Sequence, residues 1–216
     1  VYWTMKYPNE KDRDLLREWK LKAKNLPVNI FVPFGHYDSY IKKGVPADEK
    51  FALDVSELNS EDWVLTFGLD LVNPVSVLIE RVISSLKKEG NFGLDDIIQN
   101  IESDEKTQSE VKNAASGLFN ASKTWGVFSD KKIQATKIRD LVSPGKTTVL
   151  DLSVYNSVGA FNIRALVISL ISRKIFNERV DARKKEEVES VSKGLDFTSS
   201  KVKKENLLVW LFIDEG

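Results

Sequence analysis

The residues with the clearest chemical potential are two adjacent acids near the end of the sequence, Asp214 and Glu215. They follow seven consecutive apolar residues, 207–213, and such a run predicts a β-strand buried on both faces. A buried strand would hold the first carboxylate beside a phosphate-bound Mg²⁺ and the second beside a water that attacks the γ-phosphate. The plainer alternative is that many strands end in acids because they emerge into water.

In P-loop nucleoside triphosphatases such a strand is the Walker B element, and it works with a phosphate-binding Walker A loop, G-x-x-x-x-G-K-[ST]. The only candidate, Gly145-Lys146-Thr147, lacks the first glycine because position 140 is Asp140. It also runs into a predicted strand, whereas a Walker A loop opens a helix whose N-terminus binds phosphate. We therefore interpret Gly145 as part of a turn before a strand, and Walker A as absent from this sequence.

Composition excludes several other chemistries. The 32 Lys and Arg residues balance the 32 Asp and Glu residues, so the chain is not a uniformly basic nucleic-acid binder, although a local basic face is compatible with this balance. With no Cys and a single His, the chain has no disulfides, Cys nucleophile, Cys/His zinc site or paired-His metal site, and His36 is expected at the surface or in packing. No membrane-length apolar run and no signal peptide are present, which predicts a soluble, cytoplasmic protein.

Two further features suggest binding but have simpler explanations. The basic run at 183–185 and the lysines Lys201, Lys203 and Lys204 could contact a nucleic-acid backbone, but nearby glutamates favour a solvated surface. The five tryptophans are scattered along the chain, which favours core positions over a base-stacking platform.

The pattern along the chain predicts an α/β fold with a helical insertion. The expected strands are 28–32, 51–55, 147–153 and 207–213, and the expected helices are 9–24, a helix from 59, 73–90, 94–101, 107–123 and 159–179. Residues 35–49 are expected to form a loop, and 180–205 a frayed helix end followed by a loop. The strand 147–153, the helix 159–179 and the strand 207–213 are expected to form a βαβ unit, in which the two strands lie parallel in one sheet.

These elements suggest three parts, with an α/β core split by a helical subdomain. The predicted parts are residues 1–58, 59–137 and 138–216. Because the chain begins without Met and stops just after a predicted central strand, we expect it to be a piece of a larger protein. The alternative is a complete small domain whose last strand lies at a sheet edge.

Three segments resemble the HerA-like ATPases of the FtsK–HerA superfamily. They are residues 141–153 (LVSPGKTTVLDLS), the helix from Arg164 to Arg173, and residues 208–215. In that family a PGK–strand–DLS segment precedes a long helix and then a strand ending in Asp-Glu. The opening residues 1–4 (VYWT) resemble the stretch after the family's second strand, and 59–137 would match a helical insertion.

The resemblance implies a partial P-loop-type, mostly parallel sheet from a hexameric, ATP-driven motor that moves or unwinds double-stranded DNA, often with a nuclease partner. It implies ATP and Mg²⁺ as cofactors, with Asp214 binding Mg²⁺ through water and Glu215 activating the attacking water. The chain departs from the family in lacking Walker A, in carrying Gly216 where Ala is common, and in ending before the polar sensor and arginine finger. We therefore expect ATPase activity only of a longer protein.

A second hypothesis needs no catalysis. In that hypothesis the chain is an α/β binding module that docks protein or nucleic-acid partners through its helical block.

Overall fold

A computed structural model describes residues 2–130, 133–156, 162–192 and 208–213. The chain divides into two compact units, Val1–Leu166 and Val167–Gly216. The three strands of the described residues all belong to the first unit, which therefore contains the sheet. No helix in the described part of the chain is long and apolar enough to cross a bilayer.

The sheet has three parallel strands in the order β2-β1-β3. They are β1 (Val28–Pro33), β2 (Glu49–Phe51) and β3 (Thr147–Leu150). The predicted α/β class with a parallel sheet is thus confirmed for the described residues. The strand predicted at 51–55 lies at Glu49–Phe51 instead, so Phe51 is the one residue that the two ranges share. The strand predicted at 147–153 ends at Leu150 because the chain turns into a 3₁₀ helix (Ser153–Tyr155).

Helices make up most of the remaining described chain. In order they are α1 (Arg13–Glu18), α2 (Tyr37–Lys42), α3 (Ser60–Thr66), α4 (Pro74–Glu89), α5 (Leu94–Glu102), α6 (Ser109–Lys123), α7 (Ile138–Leu141) and α8 (Ile163–Ser192). The four helices α3 to α6 lie between β2 and β3, within the stretch where the sequence predicts helices. The domain boundaries at 58 and 137 stay a prediction.

Local signals explain where these helices begin and end. The side chain of Asn73 accepts a hydrogen bond from the Val75 N–H, and Pro74 occupies the first turn of α4, where its missing N–H costs nothing. Gly90 ends α4 with a φ of 119°. At α3 the Asp62 carboxylate accepts the Asn59 N–H at 2.8 Å, one half of a capping box.

We call helices α3 to α6 and the segment 124–128 after them the helical block, and its core is aromatic. Trp63 of α3 is fully buried and lies against three rings, with centroid distances of 4.9 Å to Phe119, 5.2 Å to Phe128 and 5.5 Å to Phe67. Such ring pairs add to the free energy gained by burying apolar area. This core fixes α3 against α6 and against the segment that follows α6.

Three helical predictions need correction. The helix expected at 9–24 is limited to α1, which buries no residue, because its narrow apolar stripe finds nothing to pack against. The loop expected at 35–49 contains α2, whose Tyr40 is buried. The long helix expected to end near 179 continues as regular helix to Ser192, and residues 193–205 of the predicted loop lie outside the described residues.

The strand predicted at 207–213 is wrong for residues 208–213. They have no regular secondary structure, and their side chains are 36% to 86% exposed. An apolar run becomes a strand only where another strand pairs with it, and among the described residues none pairs with this segment. Asp214 and Glu215 lie outside the described residues.

A contact between two glycines joins the end of β1 to the segment after α6. The Gly35 N–H donates to the Gly126 carbonyl oxygen at 2.9 Å, and Gly126 has a φ of 65°. A Cβ placed on Gly35 would lie 2.6 Å from the Gly126 Cα, closer than real Cβ atoms approach. Only glycine at position 35 lets the helical block return this closely to the sheet.

Gly35→Ala is therefore expected to lower the free energy of unfolding by about 1–3 kcal/mol, the usual cost of overpacking. Gly117→Ala is the matched control, because a Cβ at that helical position meets nothing within 4 Å. The control should raise stability by about 0.5–1 kcal/mol, since alanine loses less entropy in a helix. Urea unfolding followed by circular dichroism measures both, and equal stabilities would contradict the steric argument.

Candidate functional site

Polar side chains gather where β1 and β3 end, at the carboxyl edge of the sheet. We call His36, Tyr40, Asp151, Ser153 and Tyr155 the carboxyl-edge cluster. The first two follow β1 and the other three follow β3. In open parallel sheets ligands bind outside the carboxyl ends of the strands, so a ligand site is expected at this edge.

Asp151 is the most buried charged residue of this cluster, with 4% of its surface exposed. Its backbone N–H donates to the Phe31 carbonyl oxygen at 2.9 Å, which extends the β1–β3 pairing by one residue. Its carboxylate accepts the Ser153 N–H at 2.9 Å, and the Ser153 Oγ lies 3.1 Å from the Tyr40 hydroxyl oxygen. Asp151 thereby shapes the turn after β3, and Ser153 links that turn to α2.

The other half of the cluster meets at one carbonyl oxygen. The Tyr155 hydroxyl donates to the Trp125 carbonyl at 2.7 Å, and the His36 Nε2 lies 3.1 Å from the same oxygen. The His36 and Tyr155 rings contact edge to face, with centroids 5.6 Å apart. His36 thus has the packing role that the sequence predicts for it.

Burial sets the protonation of the two phenols. Loss of water raises the pKa of Tyr40 to about 12; the nearby Asp151 carboxylate adds to this rise, and the Ser153 hydrogen bond opposes it. Burial also raises the pKa of Tyr155, and the neighbouring Tyr40 contributes. Both hydroxyls therefore stay neutral through the physiological range and act as hydrogen-bonding groups rather than as bases.

The cluster is best described as a structural clamp. Its hydrogen bonds join the helical segment after β1, the turn after β3 and the Trp125 backbone, which come from three distant parts of the sequence. Among the described residues there is no group of three or more His, Cys, Asp or Glu residues that could hold a metal ion. The clamp holds the carboxyl edge in shape.

The structure describes only some of the residues singled out from the sequence. Asp214 and Glu215 lie outside the described residues. Gly145 has a φ of 68° and the Lys146 N–H donates to the Ser143 carbonyl oxygen at 3.3 Å, so the Gly145-Lys146-Thr147 segment is the predicted turn before a strand.

The basic run on α8 is engaged with acids of the same helix. Arg183 lies 2.9 Å from Glu187, and Lys184 lies 3.8 Å from Asp181. These pairs fit the predicted solvated surface. Lys201, Lys203 and Lys204 are outside the described residues.

The expectation that the tryptophans belong to the core is confirmed for Trp63 and Trp125, which are buried. It is wrong for Trp19 and Trp210, which are 77% and 75% exposed. A scattered distribution along the sequence does not distinguish a core ring from a surface ring, because burial depends on neighbours distant in sequence.

Asp151 and Tyr40 were not recognised from the sequence as members of a site. The available signal was the position of Asp151 directly after a β-branched strand, where carboxyl-edge residues are expected. Tyr40 had no such signal, because its role depends on Ser153, more than one hundred residues further along.

The raised pKa of Tyr40 predicts a stability that falls in alkali. Unfolded phenols ionise near 10 while folded Tyr40 keeps its proton to about 12, so the free energy of unfolding should decline between pH 10 and 12. Tyr40→Phe should make this decline shallower, whereas Tyr7→Phe, at a 64% exposed position, should leave its slope unchanged. Urea titrations at several pH values measure the slopes, and equal slopes in the three proteins would contradict the assignment.

No protein-family model, curated protein or solved structure matches this chain. The likeness of residues 141–153 and 208–215 to HerA-like ATPases therefore stays a prediction.

Proposed function

We propose that this chain is part of a HerA-like motor that uses ATP hydrolysis to translocate or unwind double-stranded DNA. Without a Walker A loop, the chain as given should not hydrolyse ATP, and activity would belong to a longer protein. In the same proposal the longer protein forms a cytoplasmic homohexamer and works with a nuclease partner.

The observation that carries the proposal is the parallel pairing of β3 with β1. β3 is the strand of the PGK–strand–DLS segment, it follows the Gly145 turn, and Asp151 stands directly after it. A parallel sheet directs the ends of its strands to one edge, where nucleotide-binding α/β proteins place their ligand. The order of turn, strand and acid supports the family resemblance from within the fold.

The proposed chemistry rests on Asp214 and Glu215. Adjacent carboxylates are suitable donors for Mg²⁺, which prefers oxygen ligands and keeps several waters. Asp214 would hold the cation through water, and Glu215 would accept the proton of the attacking water. Bound Mg²⁺ would neutralise charge on the phosphates of ATP.

The conformation of residues 208–213 does not add to this support. A buried strand would have held the two acids rigidly, but the segment is exposed and irregular. At this end of the chain the proposal therefore rests on the residue types alone.

The decisive experiment uses the longer protein, identified by a G-x-x-x-x-G-K-[ST] sequence upstream of Val1 in its reading frame. Glu215→Gln should abolish steady-state ATP turnover while leaving ATP affinity unchanged, because the amide cannot accept the proton but keeps the shape of the side chain. Turnover is measured as phosphate release and affinity by isothermal titration calorimetry.

Glu89→Gln is the control, since Glu89 is an exposed residue at the end of α4 and should not affect turnover. Unchanged turnover in Glu215→Gln would reject the assigned base. Loss of nucleotide binding together with turnover would show that Glu215 has a structural role instead.

The second candidate, a non-catalytic binding module, is favoured by exposed apolar residues that lie close together in the sequence. Leu65, Leu71, Val72 and Val77 of α3, α4 and their connection are all more than half exposed. Exposed apolar side chains that form a contiguous patch mark interaction surfaces. A reading frame that starts near Val1 and stops after Gly216 would favour this candidate over the motor.

A further inference from the structure

A short segment after α1 combines an exposed tryptophan with three lysines. We call residues 19–24, Trp-Lys-Leu-Lys-Ala-Lys, the tryptophan–lysine segment. Residues 21–27 have no regular secondary structure, and Trp19 is 77% exposed. Lys20, Lys22 and Lys24 are exposed as well.

The three lysines are without acidic partners in the part of the chain that the structure describes. Three other cations of the same region are in ion pairs: Lys6 with Asp48, Arg13 with Glu10, and Arg17 with Asp14. The acids of this region all precede Trp19, and none occurs between residues 19 and 27. Residues 19–27 of a chain with no net charge thus carry three positive charges and no negative one.

We propose that the tryptophan–lysine segment binds a single-stranded nucleic acid. Lysines without partners attract phosphates and release condensed counterions. An exposed indole offers a face on which an unpaired base of any type can stack. The combination of an aromatic ring and regularly repeated cations is the chemistry that sequence-independent single-strand binding uses.

Two other partners fit these residues less well. The buried centre of a protein–protein interface is depleted in lysine, whereas this segment has lysine at every second position. A bilayer surface is usually bound by an amphipathic helix that buries an apolar face, but residues 21–27 are not helical.

The turn at Lys20 allows its charge to be tested apart from folding. Lys20 has a φ of 55°, and the Leu21 N–H donates to the Leu16 carbonyl oxygen at 2.8 Å, which is the hydrogen bond of a Schellman motif at the end of α1. Glycine is the residue that this position favours. Lys20→Gly should therefore keep or raise the thermal unfolding midpoint while removing one positive charge.

The test measures fluorescence anisotropy of a labelled oligothymidylate with the full chain, without ATP, at several salt concentrations. The triple variant Lys20→Gln/Lys22→Gln/Lys24→Gln should bind at least about tenfold more weakly, with a salt slope shallower by about 2, because each phosphate contact on a single strand contributes about 0.7. Trp19→Ala should weaken single-strand binding about tenfold through lost stacking and leave duplex binding unchanged.

The matched control is Lys42→Gln/Lys43→Gln/Lys88→Gln, which removes the same charge from exposed lysines elsewhere. Its affinity for the oligonucleotide should stay that of the unmodified chain, and Lys20→Gly should bind more weakly without loss of stability. Equal losses in the two triple variants would overturn the proposal.

Two further outcomes would also overturn it. One is a duplex affinity that depends on the lysines while Trp19→Ala has no effect on either nucleic acid. The other is binding to phosphatidylserine vesicles that depends on the lysines while oligonucleotide binding does not, which would assign the segment to a membrane surface.

This proposal does not rest on the proposed ATPase. Binding is measured without nucleotide, and Glu215→Gln should not change it. An unchanged ATP turnover in Glu215→Gln would therefore not affect the result for oligonucleotide binding. Failure of oligonucleotide binding would likewise not affect the turnover result.

Discussion

The fold depends on the pairing of β1 along both of its edges. β1 is the middle strand, its apolar residues are buried, and its backbone hydrogen bonds are shared between β2 and β3. Because both neighbours are parallel to it, the chain must cross over between strands rather than turn back in a hairpin. The crossover from β2 to β3 runs through residues 52–146 and contains the whole helical block.

A crossover of that length must be attached to the sheet if the two are to fold as one unit. The aromatic core around Trp63 holds the helices together, and the Gly35–Gly126 contact brings their end back to β1. The parallel bridge between Leu53 and Phe128 adds a second attachment. In the carboxyl-edge cluster, the Tyr155 hydroxyl after β3 donates to the Trp125 carbonyl oxygen after α6. The carboxyl edge of the sheet is therefore bonded to the end of the helical block as well.

Charge is balanced over the whole chain but not locally. Arg183 and Lys184 on α8 lie beside acids, so their charge is largely cancelled at short range. Lys20, Lys22 and Lys24 form no ion pair with an acid among the described residues, and no acid lies between residues 19 and 27. The proposed nucleic-acid contact and the proposed motor both involve a polyanion. The first depends on charge attraction and stacking by the tryptophan–lysine segment, and the second on cation binding and proton transfer by Asp214 and Glu215.

The sequence by itself determined the elements whose signals are local. The helix α4 begins at Pro74 and ends before Gly90, as its cap residues and apolar spacing predict, and α5 and β1 were found within one or two residues of their expected bounds. Tertiary structure alone decided which apolar segments found partners. Residues 9–24 and 208–213 have suitable patterns but no described surface to cover them, so one is mostly non-helical and the other is not a strand.

The same division applies to the candidate site. The position of Asp151 after a strand can be recognised from the sequence, but its neighbours Tyr40 and Ser153 are separated by more than one hundred residues. Hydrogen-bond partners, burial and the resulting pKa shift of Tyr40 arise only when the crossover has folded back onto the sheet. Periodicity and capping act over a few residues, whereas pairing and burial are properties of the assembled chain.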